Sequence, residues 1–335
     1  MNMSWSKIGT TALVLLMAVS LAACGQPKTV DNKAAEQQGQ GTGAGTTAGN
    51  QEQAKDQQLK TTYPLKIKDS TGKEFTFEKA PERIISVAPS DTEALFAIGL
   101  GDKIVGVSDH DDYPAEAAAK PKMGGLEPNV EAIVAAKADI IFAGALGDAT
   151  IQKYRDLGLN MIKLEAKTYD GIMKNIETYG LITDHQQQAK AVVDKMSKTR
   201  ADIQAAVTGV KEKKKVFIEF SPGWTVGKGE YMHDMIELAG GMNVAASEEG
   251  WIEMSEEKIV KSNPDVILYG EGVEDFKTKQ KLKDIIQGRS GWSGINAMKN
   301  NQVIGLADDM ISRPGPRAAE ALHAIAKAIY PELVK

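Results

Sequence analysis

Two glutamates occupy the same position in the two copies of an internal repeat. Glu131 begins the segment EAIVAAKADIIFAG, and Glu257 begins the segment EKIVKSNPDVILYG. The segments align without a gap, and each pattern predicts a short helix followed by a buried strand. Asn129 and Ser255 precede them at matched places, and both residue types are favoured as helix N-caps. A carboxylate at the same point of two similar lobes suits a partner that recognises both charges across a cleft.

The only cysteine, Cys24, follows an apolar run that is short for a membrane span. The run ends in the residues LAAC, which resemble the lipobox of bacterial lipoproteins, where the cysteine is lipidated once the preceding segment is removed. We therefore expect residues 1–24 to be a signal peptide with lipidation at Cys24. Residues 25–60 are rich in Gln and Gly and predict a flexible tether, because so few large apolar residues cannot form a core.

The rest of the chain alternates strand-like and helix-like runs, which predicts βαβ units and mainly parallel sheets. Residues 61–182 and 211–335 follow the same plan, and Ser90 and Glu93 are spaced as a capping box for the first helix. A connecting helix is predicted over residues 183–210, because residues 184–207 show a helical pattern with one apolar stripe and no Gly or Pro. We predict an α/β fold with two Rossmann-like lobes around central, mainly parallel sheets. One long backbone helix joins the lobes, and a ligand cleft lies between them.

Several signatures along residues 63–331 resemble the helical-backbone class of substrate-binding lipoproteins of ABC importers, which carry ferric siderophores, haem and cobalamin. They are RIISVAPSDTEALFAIGLGDKIVGVSDHDDYP, GGLEPNVEAIVAAKADIIFAG, AGGMN, SEEKIVKSNPDVI and RPGPR. In that family, glutamates at the positions of Glu131 and Glu257 pair with arginines of the two permease subunits. The resemblance therefore implies permease docking at these two residues.

The same resemblance implies a binding protein rather than an enzyme, with no cofactor of its own. Its expected partners are an ABC permease dimer with its ATPase subunits, a small-molecule metal chelate, and the membrane through a lipid anchor. We expect a monomer at the cell membrane that faces the extracellular side, or the periplasm if the source has an outer membrane. The formal net charge of −5 argues against non-specific binding to nucleic acid.

Ligands of open α/β sheets bind beyond the carboxyl ends of the strands, which selects the cleft residues. Aromatic side chains there would offer flat surfaces to a bulky ligand, and Arg313 would face an anionic chelate or a carboxylate arm. The predicted cleft residues are Ser90, Asp91, Thr92, His110, Tyr113, Ser221, Trp224, Tyr231, Trp251 and Arg313.

The sequence leaves the chelate open between a corrinoid and a ferric siderophore, with haem less favoured. The turn at Tyr113 resembles that of cobalamin-binding relatives. However, His110 stands where those relatives typically place an aromatic residue, and Gly125 lies near a position where some carry Trp.

Two other functions compete with chelate binding. The cluster of Asp109, His110, Asp111 and Asp112 would suit a bare transition-metal ion, but such a site usually needs further histidines from the other lobe. A secreted hydrolase is the remote alternative, because residues 288–292 depart from the Gly-x-Ser-x-Gly pattern.

Overall fold

The computed structural model describes residues 59–335. The predicted signal peptide, Cys24 and nearly all of the predicted tether lie outside the described residues. Within residues 59–335, no helix combines the length and apolar character that a bilayer crossing requires.

The first lobe is built on a four-stranded parallel sheet with the strand order β4-β3-β5-β6. An antiparallel hairpin, β1-β2, precedes it. Helices cover the sheet, so its strands are short runs of buried apolar residues such as Ile84, Ile140 and Phe142. In chain order the elements are β1 (Leu65–Lys68), β2 (Glu74–Phe77), β3 (Ile84–Ser86), α1 (Pro89–Ala97), β4 (Ile104–Val107), α2 (Ala115–Ala118), α3 (Val130–Ala136), β5 (Ile140–Phe142), α4 (Asp148–Asp156), β6 (Met161–Ile162) and α5 (Tyr169–Thr183).

One long helix, α6 (Gln186–Val207), leads from the first lobe to the second. Its 22 residues span roughly 33 Å at the α-helical rise. Ala189, Met196 and Ile203 are buried along one stripe, as the sequence pattern predicts. Helix α5 crosses close to it at Gly180, where an added Cβ would come within 2.5 Å of the Ala189 methyl group. Helix α6 therefore packs tightly against α5 at this crossing.

The second lobe has its own parallel sheet, with the strand order β9-β7-β11-β12. A short antiparallel pair, β8-β10, forms a separate ribbon. The elements are β7 (Lys215–Glu219), β8 (Trp224–Val226), α7 (Tyr231–Leu238), β9 (Met242–Asn243), β10 (Trp251–Glu253), α8 (Glu256–Ser262), β11 (Val266–Glu271), α9 (Leu282–Gly288), α10 (Asn296–Lys299), β12 (Val303–Ala307), α11 (Asp308–Ser312) and α12 (Ala318–Ile329).

The two sheets correspond strand for strand, and the repeated segments form the same unit in each: α3 with β5, and α8 with β11. Asn129 and Ser255 cap the two helices by accepting a backbone N–H from three residues further on. Lys137 and Asn263 end them in the left-handed conformation. The predicted fold class, two parallel α/β lobes joined by one long helix, is confirmed.

The capping-box prediction for α1 was wrong. The N-cap is Ala88, which makes no side-chain cap, and the helix begins with Pro89. Proline suits that position because its missing N–H would be unbonded there in any case. Glu93 does not bond back to the helix start, because its carboxylate is taken by two arginines of the second lobe.

A buried ion pair in the second lobe gives a test of the packing. Arg289 donates two hydrogen bonds to Glu219 at the end of β7, at 2.8 and 2.5 Å, and both side chains are almost wholly buried. We expect Arg289→Met to lower the free energy of unfolding by about 3–5 kcal/mol, because it leaves the Glu219 carboxylate buried without its cation. Urea denaturation of the purified protein measures this loss.

The matched control is Arg200→Met. Arg200 pairs with Asp170, whose side chain is 75% exposed, so the loss should stay below about 1 kcal/mol. Equal losses in the two variants would contradict the burial argument.

Candidate functional site

An open cavity of about 480 Å³ lies between the lobes. The first lobe contributes the loops that follow its four sheet strands, together with one side of α5. The second lobe contributes residues after β7, the start of α7, β10, and the segment from α11 to residue 315. The cavity therefore lies where parallel sheets bind ligands, and its volume falls within the ~300–1,000 Å³ that small-molecule sites usually have.

Six of the ten predicted cleft residues line this cavity. They come from both lobes, although they are far apart in the sequence. The six are Ser90, Asp91, His110, Tyr231, Trp251 and Arg313.

The other four predicted residues do not line the cavity. Thr92 is buried beneath it and donates a hydrogen bond to Ser86. The ring of Tyr113 lies against the Arg317 guanidinium, 4.3 Å from the ring centre. Ser221 and Trp224 belong to the turn that enters β8, where the Trp224 N–H donates to the Ser221 carbonyl oxygen.

An aromatic residue that the sequence analysis missed, Phe220, lines the cavity beside Trp251. The centres of the two rings are 4.8 Å apart, within the range of favourable aromatic pairs. Phe220 ends the run VFIEF, whose pattern reads as a buried strand. Phe220 also packs against the hydrophobic core, so the sequence carries no signal that separates it from the buried residues before it.

Asp91 is a buried acid on the first-lobe side of the cavity. Its carboxylate accepts hydrogen bonds from the Gly144 N–H at 2.7 Å and from the Tyr179 hydroxyl at 2.8 Å. Burial raises the pKa of Asp91 to about 6, and these two hydrogen bonds offset the rise only in part. A Cβ on Gly144 would come within 2.7 Å of the carboxylate, so the close approach requires glycine.

Asp308 lies beside the matched glycine on the second-lobe side of the cavity. Its carboxylate lies against Gly270, the repeat partner of Gly144, and a Cβ there would collide with it. Burial and the neighbouring Asp309 raise the pKa of Asp308 above its usual range. Each lobe therefore presents one carboxylate to the cavity beside the glycine that ends its repeat unit.

A cluster of ion pairs ties the two lobes together at one side of the cavity. Glu93 of α1 is 3% exposed, and its carboxylate accepts two hydrogen bonds from Arg317 at 2.8 and 2.6 Å. Arg313 donates to the same carboxylate at 3.3 Å and to Asp112 at 2.6 Å. The hydrogen bond from Arg313 lowers the pKa of the Asp112 carboxyl group. The cluster holds the lobes face to face.

The two cations that line the cavity, Arg313 and Lys167, are both paired with carboxylates of the protein. Arg313 also pairs with Asp309 at 2.8 Å, so its guanidinium is shared among three carboxylates. Lys167 of the first lobe pairs with Glu230 of the second at 3.1 Å. Arg313 thus lies at the predicted place, but its charge is already balanced by protein groups.

Glu131 and Glu257 lie outside the cavity, in the first turns of α3 and α8. Helices that run back along a parallel sheet start at the carboxyl edge of its strands, so both residues lie at the edge that bounds the cleft. Both are exposed, and neither forms an ion pair with any residue of 59–335. One turn further on, Val134 and Val260 expose 58% and 38% of their surface at matched positions.

Comparison with known proteins identifies the family. Residues 84–310 match the periplasmic binding protein family, and the chain belongs to it. The chain is 34% identical over 340 residues to an uncharacterized ABC transporter substrate-binding lipoprotein of Bacillus subtilis, a match that covers 98% of this chain and 99% of that protein. Proteins of this family bind substrates for ABC transporters and are not enzymes, so the predicted family is confirmed.

Two solved structures of binding proteins are similar to this chain. A possible iron-binding protein of Staphylococcus epidermidis is 32% identical, with a TM-score of 0.65, over 75% of this chain and all of that one. The vitamin B12-binding protein of Vibrio cholerae is 28% identical, with a TM-score of 0.64, over 75% of this chain and 97% of that one.

The raised pKa of Asp91 predicts a pH-dependent stability. Between its ordinary pKa of 3.8 and about 6, the folded protein holds a proton that the unfolded chain releases. The contribution of Asp91 to the free energy of unfolding therefore falls as pH rises through this window, by up to ~3 kcal/mol. Urea denaturation from pH 4 to 7 should show wild type losing stability relative to Asp91→Asn over that range.

Asp112→Asn is the control of opposite sign. The hydrogen bond from Arg313 lowers the pKa of Asp112, so the stabilising contribution of Asp112 is complete above the ordinary pKa of 3.8 and is lost only at lower pH. The difference between wild type and Asp112→Asn should therefore stay constant from pH 4 to 7 and shrink below pH 4. A constant difference between wild type and Asp91→Asn across the range would contradict the assignment.

The ion-pair cluster predicts that Glu93 keeps the lobes closed. In Glu93→Gln, the only cross-lobe carboxylate of residues 59–335 left to the two arginines is Asp112, so the contact between the lobes is weakened and the lobes should open. Small-angle X-ray scattering should show a larger radius of gyration for this variant. Glu116→Gln removes an exposed acid of α2 outside the cluster and should scatter like wild type. Superimposable curves for the two variants would exclude a closing role for Glu93.

Proposed function

We propose that this protein captures a metal chelate, either a corrinoid or a ferric siderophore, outside the cell and delivers it to an ABC permease. The observation that supports this most strongly is the cavity between the lobes, with Phe220, Tyr231 and Trp251 lining its second-lobe side. Such aromatic surfaces bury large flat ligands at low entropic cost. The similarity to a vitamin B12-binding protein and to a possible iron-binding protein favours chelates.

The arrangement of the acidic cluster at 109–112 disfavours a bare metal ion. Asp111 is buried and accepts hydrogen bonds from the backbone N–H and hydroxyl of Ser108. Asp112 is engaged by Arg313, which leaves His110 to line the cavity without them. Across residues 59–335, no group of three or more His, Cys, Asp or Glu side chains is arranged to hold a metal ion.

The proposed anchor is a lipid on Cys24, joined to the lobes by the tether at 25–60. This would keep a monomeric binding protein at the membrane surface, where the permease lies. The lipoprotein of Bacillus subtilis, which matches almost the whole chain, supports this proposal.

The proposed docking surface consists of Glu131 with Val134 on one lobe and Glu257 with Val260 on the other. Each carboxylate is exposed and free of ion pairs within the described part of the chain, so it can pair with a cation of the permease. The two valines lie three residues on, on the same side of each helix, and would add apolar contact. Two matched patches on two similar lobes fit a partner with two similar subunits.

Docking predicts that transport and ligand binding can be separated. In the double variant Glu131→Lys, Glu257→Lys, each patch would repel the cation it should bind, so uptake of radiolabelled cyanocobalamin or ferrioxamine B by cells should fall at least about tenfold. Chelate affinity measured on the purified variant should stay within about twofold of wild type, since neither residue lines the cavity.

Glu177→Lys reverses an exposed acid on α5 and should leave both uptake and affinity unchanged. A parallel loss of affinity in the double variant would contradict the docking assignment, and normal uptake would contradict it as well.

A further inference from the structure

We infer that the cleft takes an uncharged or cationic metal chelate whose periphery carries N–H donors, and that it rejects anionic chelates. This inference rests on the proposed function and narrows its substrate class. It follows from the charges that line the cavity and from the partners those charges already have.

Acidic groups outnumber basic groups in the cavity lining. The five carboxylates are Asp91, Glu165, Glu230, Asp308 and Asp309. Glu165, Glu230 and Asp309 are themselves in ion pairs, whereas Asp91 and Asp308 are in none within the described part of the chain. The two cations, Lys167 and Arg313, are both engaged in ion pairs with the protein. No lysine or arginine that lines the cavity is therefore left to receive a negative charge from a ligand.

Asp91 and Asp308 make the preference specific. No lysine or arginine of residues 59–335 forms an ion pair with either carboxylate. Each lies against a glycine, Gly144 or Gly270, at the same place in the two repeat units. The acids therefore reach the cavity from opposite lobes, at positions that the repeat itself defines.

Burial makes the charged form of these two acids unfavourable. A ligand that brings a cation or N–H donors would offset that cost at both lobes, whereas an anion would increase it. The primary amides around a corrin ring and the terminal ammonium of a ferric trihydroxamate supply such groups. Ferric tricatecholates and the propionates of haem supply negative charge instead.

A panel of four chelates tests the inference. Isothermal titration calorimetry at pH 7.5 is preferred to fluorescence, because the chelates absorb strongly. We expect cyanocobalamin, ferrioxamine B or both to bind with a dissociation constant in the micromolar range or tighter. Ferric enterobactin and haemin should bind at least about 100-fold more weakly than the better of those two.

The variant Asp308→Asn tests whether this carboxylate causes the charge preference. It should weaken the chelate that binds wild type about tenfold and should reduce the discrimination against ferric enterobactin. Asp284→Asn, at an exposed acid of α9 outside the cavity lining, is the matched control and should change neither quantity.

The outcomes separate this inference from the proposed function. Binding of ferric enterobactin or haemin as tight as that of the other two would overturn the charge preference and leave chelate capture standing. Failure of all four to bind would overturn both. An unchanged profile in Asp308→Asn would overturn the role of that carboxylate.

Discussion

The cleft depends on the burial of one carboxylate, that of Glu93, between two arginines of the opposite lobe. A carboxylate that is 3% exposed is costly unless it is paired and fully hydrogen-bonded. Arg313 and Arg317 supply both conditions only when the lobes face each other. Helix α6 sets how far apart the lobes are, and this cluster sets how they face, so together they define the space in which a ligand can lie.

The cluster also determines the chemistry of that space. The Arg313 guanidinium pairs with Glu93, Asp112 and Asp309. Its side chain therefore lines the cavity without offering an unpaired positive charge. The contact between the lobes therefore engages the cation that a ligand would otherwise bind. The acids that remain, above all Asp91 and Asp308, give the cleft an excess of acceptors. The contact that closes the cleft is thus the same contact that selects its ligand by charge.

Features that depend on local pattern could be predicted from the sequence, and features that depend on distant partners could not. The repeat at Glu131 and Glu257 gave the matched helices and strands, since capping and burial periodicity act within a few residues. Glu93 was misread as a capping-box residue because its partners lie 220 and 224 residues away.

The cleft residues show the same difference between local pattern and distant contacts. The loops at the carboxyl ends of the strands could be predicted from topology, but the direction of each side chain could not. Tyr113 therefore lies against Arg317, and Phe220 lines the cavity in place of its neighbour Ser221.

The repeat also links the inside of the cleft to its outer surface. In each lobe, one helix–strand unit begins at an exposed glutamate and ends at a glycine against a cavity acid: Glu131 to Gly144 in the first lobe, and Glu257 to Gly270 in the second. A ligand held between the two cavity acids would contact both units and so would be coupled to the position of each outer glutamate. On the proposed docking, a permease with two fixed cations would then recognise the bound ligand through the spacing of the two outer carboxylates and not by contact with the ligand.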